Sequence, residues 1–141
     1  MRILVDSSVF ISFFNETDVF YKETIKLINK LAKDRTVELI LPILVFLEVV
    51  YVLQKQLKKF DEEKIMRIFI ASRSVELTYN LAKEILPIMR NINLKTSDAI
   101  IVATAKLTDA ILITWDQKLK KEAAKLVKTK TPQEFSQGEF P

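Results

Sequence analysis

Along this chain, short continuous apolar runs alternate with stretches of helical spacing. The first run, Ile3 to Val5, passes straight into Asp6 and predicts a buried strand over Arg2–Asp6. Ser7 or Ser8 is then placed to cap a helix through Phe14, and Asn15, Thr17 and Asp18 mark a turn and a second cap. Ile25, Leu27, Ile28 and Leu31 predict a helix from Phe20 to Lys33, and Val37–Leu41 a second strand. Pro42 suits the first turn of a helix reaching about Lys59. Phe60 and Asp61 break and recap that helix, and the next one runs to about Ala71. Ser74–Leu77 reads as a strand, and Tyr79–Met89 as a helix that Pro87 kinks or stops early. Thr96, Ser97 and Asp98 open an apolar helix to Leu107, Ala110–Thr114 is a strand, and Asp116 starts a helix to about Leu126. A last strand over Val127–Lys130 precedes Pro132–Phe135 and a polar tail.

Continuous apolar strands separated by helices belong to an α/β fold, a mostly parallel sheet with helices on both faces. The 141 residues suit one domain, with enough burial to fold without a disulfide or metal staple. No linker, repeat or low-complexity segment divides the chain. The longest apolar stretch, Leu41 to Leu53, is interrupted by Glu48 and falls short of the roughly 20 residues that span a bilayer. With no leader pattern at the N-terminus, a cytoplasmic location is expected.

Composition narrows the chemistry. There is no Cys and no His, which excludes thiol nucleophiles, serine-protease triads and most transition-metal sites. The single glycine, Gly138, leaves no glycine-rich phosphate loop. Any catalysis must come from carboxylates, hydroxyls, lysines, arginines and a hard metal ion. The net charge of +4 leans mildly toward an anionic partner.

Four acids stand out from the polar surfaces that hold the others. Asp6 and Asp116 each follow a buried strand, where ligand sites of open parallel sheets gather, although either position also suits a helix cap. Glu48 has Leu44, Val45, Tyr51 and Val52 as its helical neighbours, and a lone carboxylate among them is costly unless paired, protonated or bound to a cation. Asp98 opens a nearly apolar helix whose dipole favours an acid, with Thr96 and Ser97 also available as caps. All four can converge on one sheet edge. Carboxylates ~4 Å apart repel by about 4 kcal/mol per pair at an effective dielectric near 20, so protons or cations must neutralise them. Mg²⁺ fits this all-oxygen set, and Ser7, Ser8 and Thr114 offer accompanying hydroxyls. Lys55, Lys59, Lys95 and Lys118 are candidates to hold a phosphate backbone beside so acidic a pocket.

These segments resemble a PIN-domain ribonuclease, in particular the VapC toxin of a type II toxin–antitoxin pair. The likeness rests on ILVDSSVFI at the start, LPILVFLEVVYVL in the middle and KTSDAIIVATAKLTDAILITWDQKLKK late, and it covers nearly the whole chain. It implies a three-layer α/β/α sandwich, Mg²⁺- or Mn²⁺-dependent cleavage of single-stranded RNA, a homodimer, and an antitoxin whose C-terminal segment enters the active-site groove. Asp6, Glu48, Asp98 and Asp116 match the family's acidic quartet and Thr114 its hydroxyl. Two departures are visible: Thr108-Asp109 replaces the glycine often found before the late strand, and Trp115 stands between Thr114 and Asp116.

Other readings compete. A haloacid-dehalogenase-like phosphatase needs a second acid where Ser8 stands, and a phosphoryl-accepting receiver domain needs an acid pair that is absent here. A catalytically inactive PIN-like module that binds RNA or protein would gain stability by losing some of the four acids, so their retention favours the enzyme.

Overall fold

The computed structural model describes residues 1–138 and carries a five-stranded sheet, all parallel, in the order β3-β2-β1-β4-β5. The strands are β1 Arg2–Val5, β2 Glu38–Pro42, β3 Arg73–Val75, β4 Ile111–Ile113 and β5 Thr129–Lys130. The helices are α1 Ser7–Phe14, α2 Tyr21–Lys33, α3 Ile43–Gln56, α4 Glu62–Ala71, α5 Tyr79–Met89, α6 Thr96–Leu107, α7 Gln117–Ala123 and α8 Pro132–Gln137. Right-handed crossovers carry α1 to α4 over one face and α5 to α7 over the other, giving the expected three-layer α/β/α sandwich. The last three residues of the single domain expected over 1–141 lie outside the described residues.

The central strand explains why continuous apolar runs were needed. Ile3, Leu4 and Val5 of β1 are fully covered, as are Ile40 and Leu41 of β2 and Leu112 and Ile113 of β4. Side chains of alternate residues point to opposite faces, so a sheet covered on both sides needs apolar residues at every position. From the other side, α6 contributes the buried Ala99, Ile101, Val102, Ala103 and Ala105, whose small side chains allow close approach to the sheet. Among the described residues no helix is long and apolar enough to cross a membrane.

The topology also fixes where a site belongs. From β1 the chain moves outward through β2 to β3, then crosses back to place β4 on the other side of β1. The carboxyl ends of β1 and β4 therefore flank the point where connections diverge, which opens a crevice. Val5 pairs with Ile113, so Asp6 and Thr114 leave the sheet side by side at that crevice.

Several boundaries differ from the sequence expectation. Asp6, not Ser7 or Ser8, caps α1, accepting from the Ser8 backbone N–H. Pro42 ends β2 and is the N-cap of α3, where its fixed φ suits extended backbone, rather than lying in the helix's first turn. Helix α3 stops at Gln56, so Lys59 lies beyond it. Thr96 and Ser97 lie inside α6, whose N-cap Lys95 gives no side-chain hydrogen bond. Pro87 is accommodated within α5: it falls in the last turn, and the Lys83 carbonyl it leaves unpaired belongs to an exposed residue. The strand expected over Ser74–Leu77 is Arg73–Val75, that over Val127–Lys130 is Thr129–Lys130, and α7 ends at Ala123 rather than near Leu126.

The turn from α6 into β4 shows why glycine would suit it. Asp109 has φ 54, the left-handed region, and is the one non-glycine residue there among those described. Aspartate tolerates this conformation better than most residues but still carries strain. Asp109→Gly should therefore raise stability by about 0.5 kcal/mol and Asp109→Ala lower it by about 1 kcal/mol, read from urea unfolding midpoints at constant slope.

Candidate active site

Asp6 is only 3% exposed, and its two oxygens have different surroundings. Its Oδ2 accepts from Ser8 Oγ at 2.8 Å, from Thr114 Oγ1 at 2.9 Å and from the Ser8 backbone N–H at 3.4 Å. Each hydroxyl has one proton, and both are spent on Asp6, so the 3.3 Å approach of Ser8 to Thr114 is a contact between acceptors. The same hydroxyls accept in turn: Ser8 Oγ from the Trp115 N–H at 3.1 Å, and Thr114 Oγ1 from the Asp116 N–H at 3.0 Å. This network ties the end of β1 to the end of β4. Asp6 Oδ1 has Ser7 Oγ at 3.5 Å.

Ser7 links the first acid to the second. Its hydroxyl lies 3.2 Å from Glu48 Oε2 and 3.5 Å from Asp6 Oδ1, and its one proton serves one of them at a time. Glu48 Oε1 is buried with no hydrogen-bond partner. Asp6 caps the helix, so neither serine does, and both serine hydroxyls bond acids instead.

Asp98 lies in the first turn of α6, half-buried, and among the described residues no group donates a hydrogen bond to its carboxylate. Asp116 is exposed at the N-cap of α7, where its Oδ1 accepts from the Leu119 N–H at 3.1 Å. Asp116 thus caps a helix, and its charge is felt at Asp98.

The electrostatics show that the four acids share one place. Burial raises the Asp6 carboxyl above its usual value, against the opposing pull of Ser8 and Thr114. Burial also raises Glu48, reinforced by the charges of Asp6 and Asp98. Asp98 is raised by burial and by Asp6 and Asp116, and Lys95 and Lys118 pull it back. Of the four lysines singled out, Lys95 and Lys118 reach the acids. Lys55 is drawn over the Tyr51 ring at 4.5 Å, two turns along α3 from Glu48, and Lys59 lies past the helix end.

The donor set fits a hard divalent cation. Asp6 Oδ1, Glu48 Oε1 and the Asp98 carboxylate are oxygens from three separate elements with little or no hydrogen bonding, in a pocket that disfavours their negative charge. Among the described residues no three carboxylates form a closed ligand set, so taking up an ion requires them to draw together.

Sequence reasoning missed Thr24 and Phe20. Thr24 is fully buried in α2, accepts from Trp115 Nε1 at 2.9 Å and bonds Ser12 at 2.8 Å. Its signal was a lone hydroxyl on the stripe that holds Leu27, Ile28 and Leu31.

A carboxyl with a raised folded pKa binds its proton more tightly when folded. Its cost is absent below the unfolded value, near pH 4, and complete above the folded value. The cation-free protein should therefore gain stability as pH falls from 7 toward about 5. The lowered Asp34, Glu122 and Glu134 act in the opposite sense, each held down mainly by a local hydrogen bond. Asp98→Asn should stabilise the cation-free protein at pH 7 by about 1 kcal/mol and flatten this pH dependence, as followed by thermal unfolding in chelator.

Comparison with known proteins bears on the fold and the family. Among solved structures, a toxin–antitoxin complex from Klebsiella pneumoniae is similar at 22% identity and TM-score 0.65, covering 92% of this chain and 97% of that one. VapC20 of Mycobacterium tuberculosis, a sarcin–ricin loop cleaving toxin, is similar at 17% identity and TM-score 0.71, with coverage of 89% and 96%. FitAcB from Neisseria gonorrhoeae gives 15% identity, TM-score 0.68, and coverage of 94% and 98%. No curated protein sequence matches the chain. These structural likenesses establish a shared fold. The PIN domain family model matches residues 3–125, a span that includes all four acids, and the chain belongs to the PIN domain family.

Proposed function

We propose that this protein is a VapC-type toxin, a metal-dependent endoribonuclease that cleaves single-stranded RNA. The observation that carries the reading is the mutual influence of the Asp6, Glu48 and Asp98 charges, brought by the end of β1, α3 and α6, with Glu48 Oε1 buried and, among the described residues, unpartnered. The toxin assignment is supported by neighbours of the same fold that are toxin–antitoxin complexes, and the RNA assignment by one that cleaves the sarcin–ricin loop. A cytoplasmic homodimer, held inactive by an antitoxin segment that enters the acidic groove, is the form expected of it.

Asp6, Glu48, Asp98 and Asp116 would hold Mg²⁺ or Mn²⁺. Such an ion would lower the pKa of a water and offset charge growing on a phosphoryl oxygen. Ser8 and Thr114 fix Asp6 Oδ2 and so aim Oδ1 into the crevice. Glu48, whose proton affinity burial raises, would give up any proton it holds when an ion takes its Oε1. Lys95 and Lys118 supply the positive rim that lets a polyanion approach the carboxylates.

The second reading is an inactive PIN-like module that binds RNA or protein. The raised carboxyls favour the enzyme, since they destabilise a scaffold that never takes a cation.

Addition of Mg²⁺ or Mn²⁺ at about 100 times its dissociation constant should stabilise the fold by about 2.7 kcal/mol. The gain should be larger at pH 8 than at pH 5, where protons compete. The same ions should switch on cleavage of a single-stranded RNA, and Asp98→Asn should reduce that cleavage at least ~100-fold with the fold intact. Full cleavage in excess chelator would remove the metal from the mechanism. A stable dimer that binds RNA but never cleaves it with either ion would favour the inactive module.

A further inference from the structure

Phe20 occupies a position that packing alone does not explain. It is the N-cap of α2, where Ser, Thr, Asp or Asn is preferred, and it provides no side-chain cap. Its ring lies parallel to that of Trp115, with centroids 4.2 Å apart and planes 10° from each other, yet 39% of the residue remains exposed. Its backbone is held by an N–H bond to Asp18 Oδ1 at 2.8 Å and by its carbonyl, which accepts from the Thr24 N–H at 3.0 Å.

Trp115 is fixed more firmly. It is 9% exposed, its backbone N–H is bound to Ser8 and its indole N–H to Thr24. Ser8 is one of the hydroxyls that hold Asp6, so the stack is tied directly to the acidic crevice. Trp115 stands one residue from both Thr114 and Asp116. The result is a rigid aromatic pair beside the acids, buried on the Trp115 side and open on the Phe20 side.

We propose that Phe20 is a base-stacking platform for the RNA substrate, receiving the base of a nucleotide next to the phosphate held at the acidic crevice. The proposal rests on the nuclease reading and names a specificity contact within it. An unpaired base offers a π face to any aromatic ring, and a platform already ordered by Trp115 loses little entropy on binding. An exposed Phe paired with a buried Trp gives apolar stacking on one face without loosening the core on the other.

The test compares two single-stranded oligonucleotides of equal charge, octauridylate and an abasic octamer of the same backbone. Both bind the full-length Asp98→Asn protein, used to suppress cleavage, in Mg²⁺. Octauridylate should bind about tenfold more tightly than the abasic octamer and change the fluorescence of the chain's single tryptophan. Adding Phe20→Ala or Phe20→Leu should bring the affinity ratio close to one, whereas Phe20→Tyr should restore it. Phe20→Leu keeps an apolar cover over Trp115, so a merely structural role predicts an unchanged ratio in that variant, and this result would overturn the proposal. Equal binding of the two oligonucleotides by the Asp98→Asn protein would also overturn it, with the nuclease reading left standing. If the unaltered protein neither binds nor cleaves single-stranded RNA with any divalent ion, both readings fall.

Discussion

The structure turns on one buried carboxylate. Asp6 is carried out of the solvent by the central strand of the sheet, and its negative charge is tolerated because two hydroxyls and a backbone N–H converge on a single oxygen. Those hydroxyls come from Ser8 on α1 and Thr114 at the end of β4, so the atoms that stabilise the charge also lock the two central strands at their carboxyl ends. Neutral donors cannot satisfy both oxygens of a carboxylate with the protons available here. The second oxygen is left facing Glu48 and, beyond it, Asp98, which keeps the region electrostatically unbalanced in a folded and otherwise well-satisfied molecule.

That imbalance shows how the fold supports function. A parallel sheet brings strand ends together regardless of their distance in sequence, and Asp6 and Thr114 meet although 108 residues separate them. Helices that begin at the same edge bring Asp98 and Asp116 in their first turn or cap, and Glu48 from the second turn of α3. The acids are therefore mounted on helices and strand ends rather than on loops.

Much of this could be read from residue order. Continuous apolar runs identified the strands of a doubly covered sheet, and acids at their ends marked its carboxyl edge. Glu48 was conspicuous for being charged among apolar neighbours. What could not be read was which polar atom served which. Asp6, Ser7 and Ser8 are all competent caps, and the choice depends on Glu48 and Thr114, distant in sequence. The reach of the lysines was equally hidden: Lys55 and Lys118 look alike as residues, but one folds over Tyr51 while the charge of the other is felt at Asp98. Phe20 gave no signal, because its partner ring is 95 positions away and its cap position contradicts local preference.

The outer strands carry a further consequence. β3 has three residues and β5 only two, so each edge of the sheet exposes very little unpaired backbone. A second chain cannot continue this sheet to any useful length, and stacking into fibrils through strand addition is blocked at both borders. Contact with another chain is then left to the helices, and Leu47 and Tyr51 of α3 with Met66 and Ile70 of α4 are among the large apolar side chains left exposed.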